Sequence, residues 1–175
     1  MNKIITAVLF FCSLFFTACN TATPEKYFDV AVLNSNMLAG FAGEGMQRQL
    51  ESPSAAMDVN GKVAAQKRME VVDFKIKFID DDFQKLKDLK TTDDAKDILQ
   101  SATALYELVL PVYKTEYAQL AALYDKGAAK DELEAQAKTI HDKYFSRYET
   151  LYNKLIADGK LYAAKHNIKV NWGIY

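Results

Sequence analysis

Met69, Val72, Ile76, Ile79, Phe83 and Leu86 follow one another at steps of three and four, with charged residues between them. That is the seam of an amphipathic helix, and it predicts a helix over about 62–89. A competing pattern lies inside it. Val72, Phe74, Ile76 and Phe78 alternate with Asp73, Lys75 and Lys77, which is the period of a strand. The heptad extends further on both sides and no turn signal cuts it, so a helix is expected there.

Three more segments read the same way. Pro24 after Thr23 marks a helix start, an N-cap followed by a first-turn proline. This first helix carries Phe28, Ala31, Val32, Met37, Leu38 and Phe41, and Gly40, Gly43 and Gly45 weaken its second half. Residues 51–61 form a loop. Its Asp58, Asn60 and Gly61 are misplaced for a calcium loop, whose twelfth position here is Met69. A third helix begins after Thr91-Thr92-Asp93-Asp94 and runs to about Asp125, with Lys126-Gly127 as its stop. Pro111 falls inside it, so a kink is expected near 107–111. The fourth runs from Lys130 to Lys165 with Leu133, Ala137, Ile140, Tyr144, Tyr148, Leu151 and Leu155 on one face; Gly159 is its soft spot, and His166-Asn167 reads as its cap. The tail is expected to strap over the bundle through Ile168, Val170 and Trp172. Long amphipathic helices with short connections predict an all-α fold, an elongated antiparallel four-helix bundle with a short extended C-terminal tail.

Ahead of these helices the pattern changes. After Met1-Asn2-Lys3 comes an apolar run from Ile4 to Phe16, with no charge between Lys3 and Cys19. A positive start, an apolar core and small residues before a cut describe a secretory signal. The run is short of the ~20 apolar residues that span a bilayer. Phe16-Thr17-Ala18-Cys19 resembles a bacterial lipoprotein lipobox of the looser Bacteroidota type, with Phe16 where leucine is usual. The resemblance implies that Cys19 becomes the first mature residue and carries diacylglycerol on its sulfur, usually with a third acyl chain on its amine. Two or more chains anchor stably. The alternatives are an ordinary cleaved signal with a coincidental cysteine, and a retained helical anchor. The expected organisation is a cleaved signal over 1–18, a lipidated tether over 19–24 and a helical domain over 25–175. The tether has neither an acidic cluster, which would resemble a surface-export signal, nor an aspartate after the cysteine. The expected place is the cell envelope, at the outer membrane facing the periplasm.

Composition narrows the chemistry. Cys12 leaves with the signal and Cys19 is alkylated, so the mature chain has no thiol for a disulfide, a nucleophile or a metal. With 22 basic against 23 acidic residues, nothing is built to grip nucleic acid. G-x-S-x-G, a P-loop and H-E-x-x-H are absent. No catalytic residue, cofactor or metal is implied, and no enzyme is expected. Asp80, Asp81 and Asp82 are consecutive and diverge by ~100° each, so they read as a solvated face. His141 reads as a solvated surface residue.

Tyrosine is the unusual feature. Tyr106, Tyr113, Tyr117 and Tyr124 are spaced by seven, four and seven residues. On a helix they fall within ~40° of one face. Tyr144, Tyr148 and Tyr152 form a second stripe at steps of four. The two stripes make either a half-buried seam or an aromatic groove for a small ligand or a partner peptide.

The middle of the chain, LYELVLPVYKTEY, and the ending KLYAAKHNIKV resemble a group of small uncharacterised all-helical envelope lipoproteins of Bacteroidota, with relatives in spirochaetes. Tyr27-Phe28-Asp29 and Tyr162-Ala163-Ala164-Lys165 stand near the places of that group's opening and closing motifs. The group supplies no activity to transfer. Two functions remain in view. One is a lipid-anchored envelope module that meets a protein partner. The other is a small-ligand binder or carrier using a tyrosine-lined groove between the third and fourth helices.

Overall fold

The computed structural model describes residues 22–53, 55–57 and 61–172. The signal sequence, Cys12, Cys19 and the start of the tether lie outside the described residues, as do Asp58, Asn60 and the last three residues. The chain is mostly helical, so the all-α class is observed. Among the described residues no helix is long and apolar enough to cross a membrane.

Helix α1 spans Pro24–Phe28, and the Lys26 N–H donates to the Thr23 hydroxyl as a first-turn cap requires. The same rod continues as a wide π turn over Asp29–Leu33 and a tight 3-10 turn over Asn34–Leu38. It ends before the glycines. Helix α2 then covers Glu44–Glu51.

Two differences from the sequence reading follow. The segment 51–61 holds the first arm of a hairpin rather than only a loop: β1 (Ala55–Met57) pairs antiparallel with β2 (Val63–Ala65), Ala55 opposite Ala65 and Met57 opposite Val63. Consequently α3 starts at Arg68, not near 62, and runs to Lys87. Three-residue strands made largely of alanine leave no readable alternation. Lys67, the residue before α3, offers no capping side chain. Asp125 supplies the cap instead, accepting from the Arg68 and Met69 N–H groups at 2.9 and 3.0 Å.

Helix α4 spans Lys96–Val112 and contains Pro111, after which the backbone winds as a π turn over Tyr113–Tyr117 before α5 (Ala118–Lys126). The irregularity expected near 107–111 thus falls just after the proline. Pro111 has no N–H to give to the preceding turn, and its own carbonyl oxygen lies 2.9 Å from the Thr115 hydroxyl oxygen. Gly127 at φ 72° closes α5 in the left-handed region, its N–H and that of Ala128 returning to Tyr124 and Leu123. Helix α6 spans Lys130–Lys165, 36 residues, and Asn167 at φ 56° caps it through Ile168 N–H to the Ala163 carbonyl.

Side-chain pairings set the neighbours. Asn34 meets Asp82, Met37 meets Lys75, and Tyr27 meets Lys90. Asp80 meets Lys114. Asp94 meets Lys165, Ser101 meets Asp158, and Glu116 meets Tyr144. Leu38 meets Tyr148 and Ala42 meets His141. One hydrophobic cluster unites these elements around Phe28, Phe41, Ile79, Leu105, Leu120, Ile140 and Leu155. Trp172 of the tail packs on that cluster, edge-on to Phe28 at 5.9 Å. Gly159 is a closely packed position as well as a weak helix former: a Cβ there would lie 3.1 Å from both methyls of Val32. The seam residues of α3 are also as the period predicts, with Val72, Ile79 and Leu86 buried and Met69, Ile76 and Phe83 packed on the core.

Candidate functional site

The seven tyrosines do not share one environment. Tyr106, Tyr113, Tyr117 and Tyr148 are buried, and Tyr124, Tyr144 and Tyr152 are half-buried. The stripes do not simply face each other. Phe41 from the turn after the first helix enters between them, with ring centroids 5.8 Å from Tyr113, 6.1 Å from Tyr117, 6.3 Å from Tyr144 and 5.3 Å from Tyr148. Offset and tilted rings at these distances attract beyond their area burial. Tyr106 lies apart, stacked on Phe83 at 5.4 Å. Tyr124 lies under the Arg68 guanidinium at 5.9 Å, and Tyr152 approaches Asn36.

Burial raises Tyr106, Tyr113, Tyr117 and Tyr148 well above the ordinary tyrosine value, Tyr117 to about 12. All four are neutral hydroxyls at ordinary pH. Tyr148 donates to the Leu38 carbonyl at 3.0 Å, and Tyr117 accepts from the Ala42 N–H at 3.0 Å. Tyr106 has no hydrogen-bond partner among the described residues. The half-buried Tyr144 donates to Glu116. Burial raises the Glu116 carboxyl, but hydrogen bonds from Thr115, Tyr144 and Lys143 outweigh it and hold the carboxyl at about 2.

One polar group sits differently from its sequence reading. Asp82 is buried rather than on a solvated face; it accepts from Asn34 at 3.1 Å and from Lys85 at 2.7 Å. Asp80, with Lys114 at 3.1 Å, stays exposed. His141 is exposed, yet Nδ1 lies 2.8 Å from the Ala42 carbonyl and the ring stacks on Phe145 at 4.6 Å. A carbonyl only accepts, so Nδ1 carries the proton. Ala42 needs this support. At φ 54° it occupies a region costly for a residue with a Cβ, and its N–H and carbonyl are both tied, to Tyr117 and His141.

Beside this turn is a cavity of about 420 Å³ reached by Glu44, Glu134, Lys138 and His141. Its carboxylates are committed: Glu44 to Arg48, Glu134 to Lys130, Asp142 to Lys138. Among the described residues no three His, Cys, Asp or Glu side chains are grouped to hold a metal ion. The arrangement fixes a turn and nominates no acid–base pair.

The more open site is on α3, and the tyrosine spacing does not point to it. A cleft of about 500 Å³ lies where α3, the first helix and the end of α2 meet. Met37, Pro53, Val71, Phe74 and Phe78 form its apolar lining, and Gln49, Ser52 and Gln66 add polar groups. Phe74 and Phe78, one helical turn apart, are 63% and 41% exposed and stack edge-on at 4.5 Å. Met57 and Val63, paired on the hairpin, are 72% and 62% exposed. The signal was in the sequence after all: Phe74 and Phe78 are the residues that gave α3 its strand-like alternation, because they are apolar without belonging to the buried seam. Comparison with known proteins adds no relative: no protein-family model, no curated protein and no solved structure matches this chain.

Proposed function

We propose that the chain is a lipid-anchored, non-enzymatic module of the bacterial envelope that presents its far end to a protein partner. The anchor is Cys19, and the expected site is the outer membrane, facing the periplasm. The body is an elongated antiparallel four-helix bundle made of the 24–38 rod, α3, α4 continued by α5, and α6. What supports the bundle is the order of the pairings: Asp94 with Lys165, Ser101 with Asp158 and Glu116 with Tyr144 run in opposite senses along two helices. Helix α6 alone, at 36 residues, is ~54 Å long.

The observation that carries the reading is that four of the six large exposed apolar side chains among the described residues, all but Leu33 and Leu161, stand on the hairpin and α3. Ala22 lies at the end where Thr92 and Tyr162 meet. Arg68 is held at the opposite end by Asp125, and the hairpin with Met57 and Val63 enters α3 there. A tether of a few residues at ~3.5 Å each keeps the first end close to the lipid. The hairpin and the exposed phenylalanines of α3 therefore lie toward the free end, where large exposed apolar groups mark interaction surfaces. Tyr113, Tyr117, Tyr144 and Tyr148 supply stiffness instead, because their rings are packed around Phe41. That packing favours the partner reading over a ligand in a tyrosine groove.

The test has two arms in living cells. The full-length protein should take up a labelled fatty acid, and Cys19→Ala should abolish the label. A photo-crosslinking residue at Val63 should yield one discrete adduct, and the same residue at exposed Glu149 should not. Labelling that survives Cys19→Ala sinks the anchor, and equal adducts at both positions sink the partner face.

A further inference from the structure

Among the described residues, Lys75 is the only charged side chain lining the α3 cleft. It points inward from the helix, part-buried, and its ammonium donates to the Met37 carbonyl. That uses one of three N–H donors. No carboxylate lies within ion-pair distance of it among the described residues, although Lys85, Lys114, Lys143, Lys154 and Lys165 all have one. A cation withdrawn from water without a counter-charge is costly, and proteins rarely keep one without use. Around it stand two exposed phenylalanines, a valine, a methionine and a proline.

The geometry points to this cleft as a binding site for an amphipathic monocarboxylate, a single carboxylate carried on an aromatic or aliphatic tail. The carboxylate pairs with the two unspent N–H groups of Lys75. The tail lies along the apolar face that Phe74 and Phe78 form with Val71 and Met37. The cleft's volume falls within the ~300–1,000 Å³ of small-molecule sites, which are apolar with a few placed polar groups. Charge decides the class: one positive group and no negative one rejects amines and leaves dianions half-paired. Burial lowers the Lys75 ammonium from the ordinary lysine range, and an arriving carboxylate reverses that shift. The inference goes beyond the proposed function and needs neither the anchor nor a protein partner.

The test uses the full-length protein in phosphatidylcholine nanodiscs, titrated with 4-(4-fluorophenyl)butyrate and followed by fluorine NMR of the probe, with empty nanodiscs as background. Saturable broadening is expected. 4-(4-Fluorophenyl)butylamine, with the same tail and the opposite charge, should show none. Lys75→Met should weaken the carboxylate about tenfold or more, the loss expected for one charge-assisted contact. Phe74→Ala should weaken it without changing the preference for carboxylate over amine. No saturable response to the carboxylate overturns the proposal, and so does an equal response to the amine. The comparison of the two probes on the unaltered protein stands even if Lys75→Met unfolds.

Discussion

Tyr106 and Tyr148 carry the same ring, both buried, with opposite consequences. The Tyr148 hydroxyl donates to the Leu38 carbonyl at 3.0 Å. The Tyr106 hydroxyl is buried with no partner among the described residues. A buried hydrogen bond contributes ~1 kcal/mol, and a buried polar atom left unpaired is a cost of similar size. Tyr148→Phe should therefore destabilise by about 1 kcal/mol, and Tyr106→Phe should be neutral or stabilising by up to about 1 kcal/mol. The midpoints of urea unfolding, compared at constant slope, separate the two. Equal losses in both would mean that Tyr106 has a partner. Spacing placed each residue on a tyrosine stripe of its own helix but said nothing of what each oxygen meets, because the Leu38 carbonyl that Tyr148 meets belongs to a segment 110 residues earlier.

Helix α3 shows how an element can be readable in type and unreadable in its limits. Its seam of threes and fours is a local property, since side chains one turn apart share a face. Its start is not local. The cap comes from Asp125, 57 residues on, and the Arg68 guanidinium reinforces the corner by donating to the Leu50 carbonyl at 3.1 Å. Asp125→Ala should cost about 1–2 kcal/mol, the range for losing a charged cap. Asp125→Asn, which keeps an acceptor, should recover part of it. Thermal unfolding of the three proteins reads this directly. If Asp125→Ala melts with the unaltered protein, the corner is held by Arg68 alone. The strand-like alternation inside α3 has its own lesson. Where two local signals disagree, a functional or exposed position is the place to look, and Phe74 and Phe78 are exposed.

Across the molecule the buried phenols link stability to alkaline pH. Tyr106, Tyr113, Tyr117, Tyr148 and Tyr162 are raised by burial above an ordinary value of 10.0, Tyr117 and Tyr162 to about 12. A group whose folded pKa is raised keeps its proton in the native state after the unfolded chain has released it. The stability it contributes is fully present below pH 10 and is lost as pH rises through 10 toward 12. Tyrosinate absorbance and helical circular dichroism should therefore change together in that window. Phenols that titrate near 10 while the helices remain intact would contradict the packed aromatic seam.

The four helical stretches, the Thr23 cap, the Gly127 stop and the Asn167 cap were all legible in the residues themselves. The lipobox-like Phe16-Thr17-Ala18-Cys19 is a reading that rests on the residues alone. These features rest on interactions spanning a few residues, or on composition, and so leave a mark along the chain. The Asp125 cap, the insertion of Phe41 between the tyrosine stripes, the burial of Asp82 and the alanine hairpin depended on the tertiary structure. So did Lys75 in its cleft, which has no carboxylate partner among the described residues. Each joins residues distant in sequence, and each depends on how far one helix is rotated and shifted against another. A hydrophobic period defines the buried face of a helix but leaves that rotation and shift to the packing of the core.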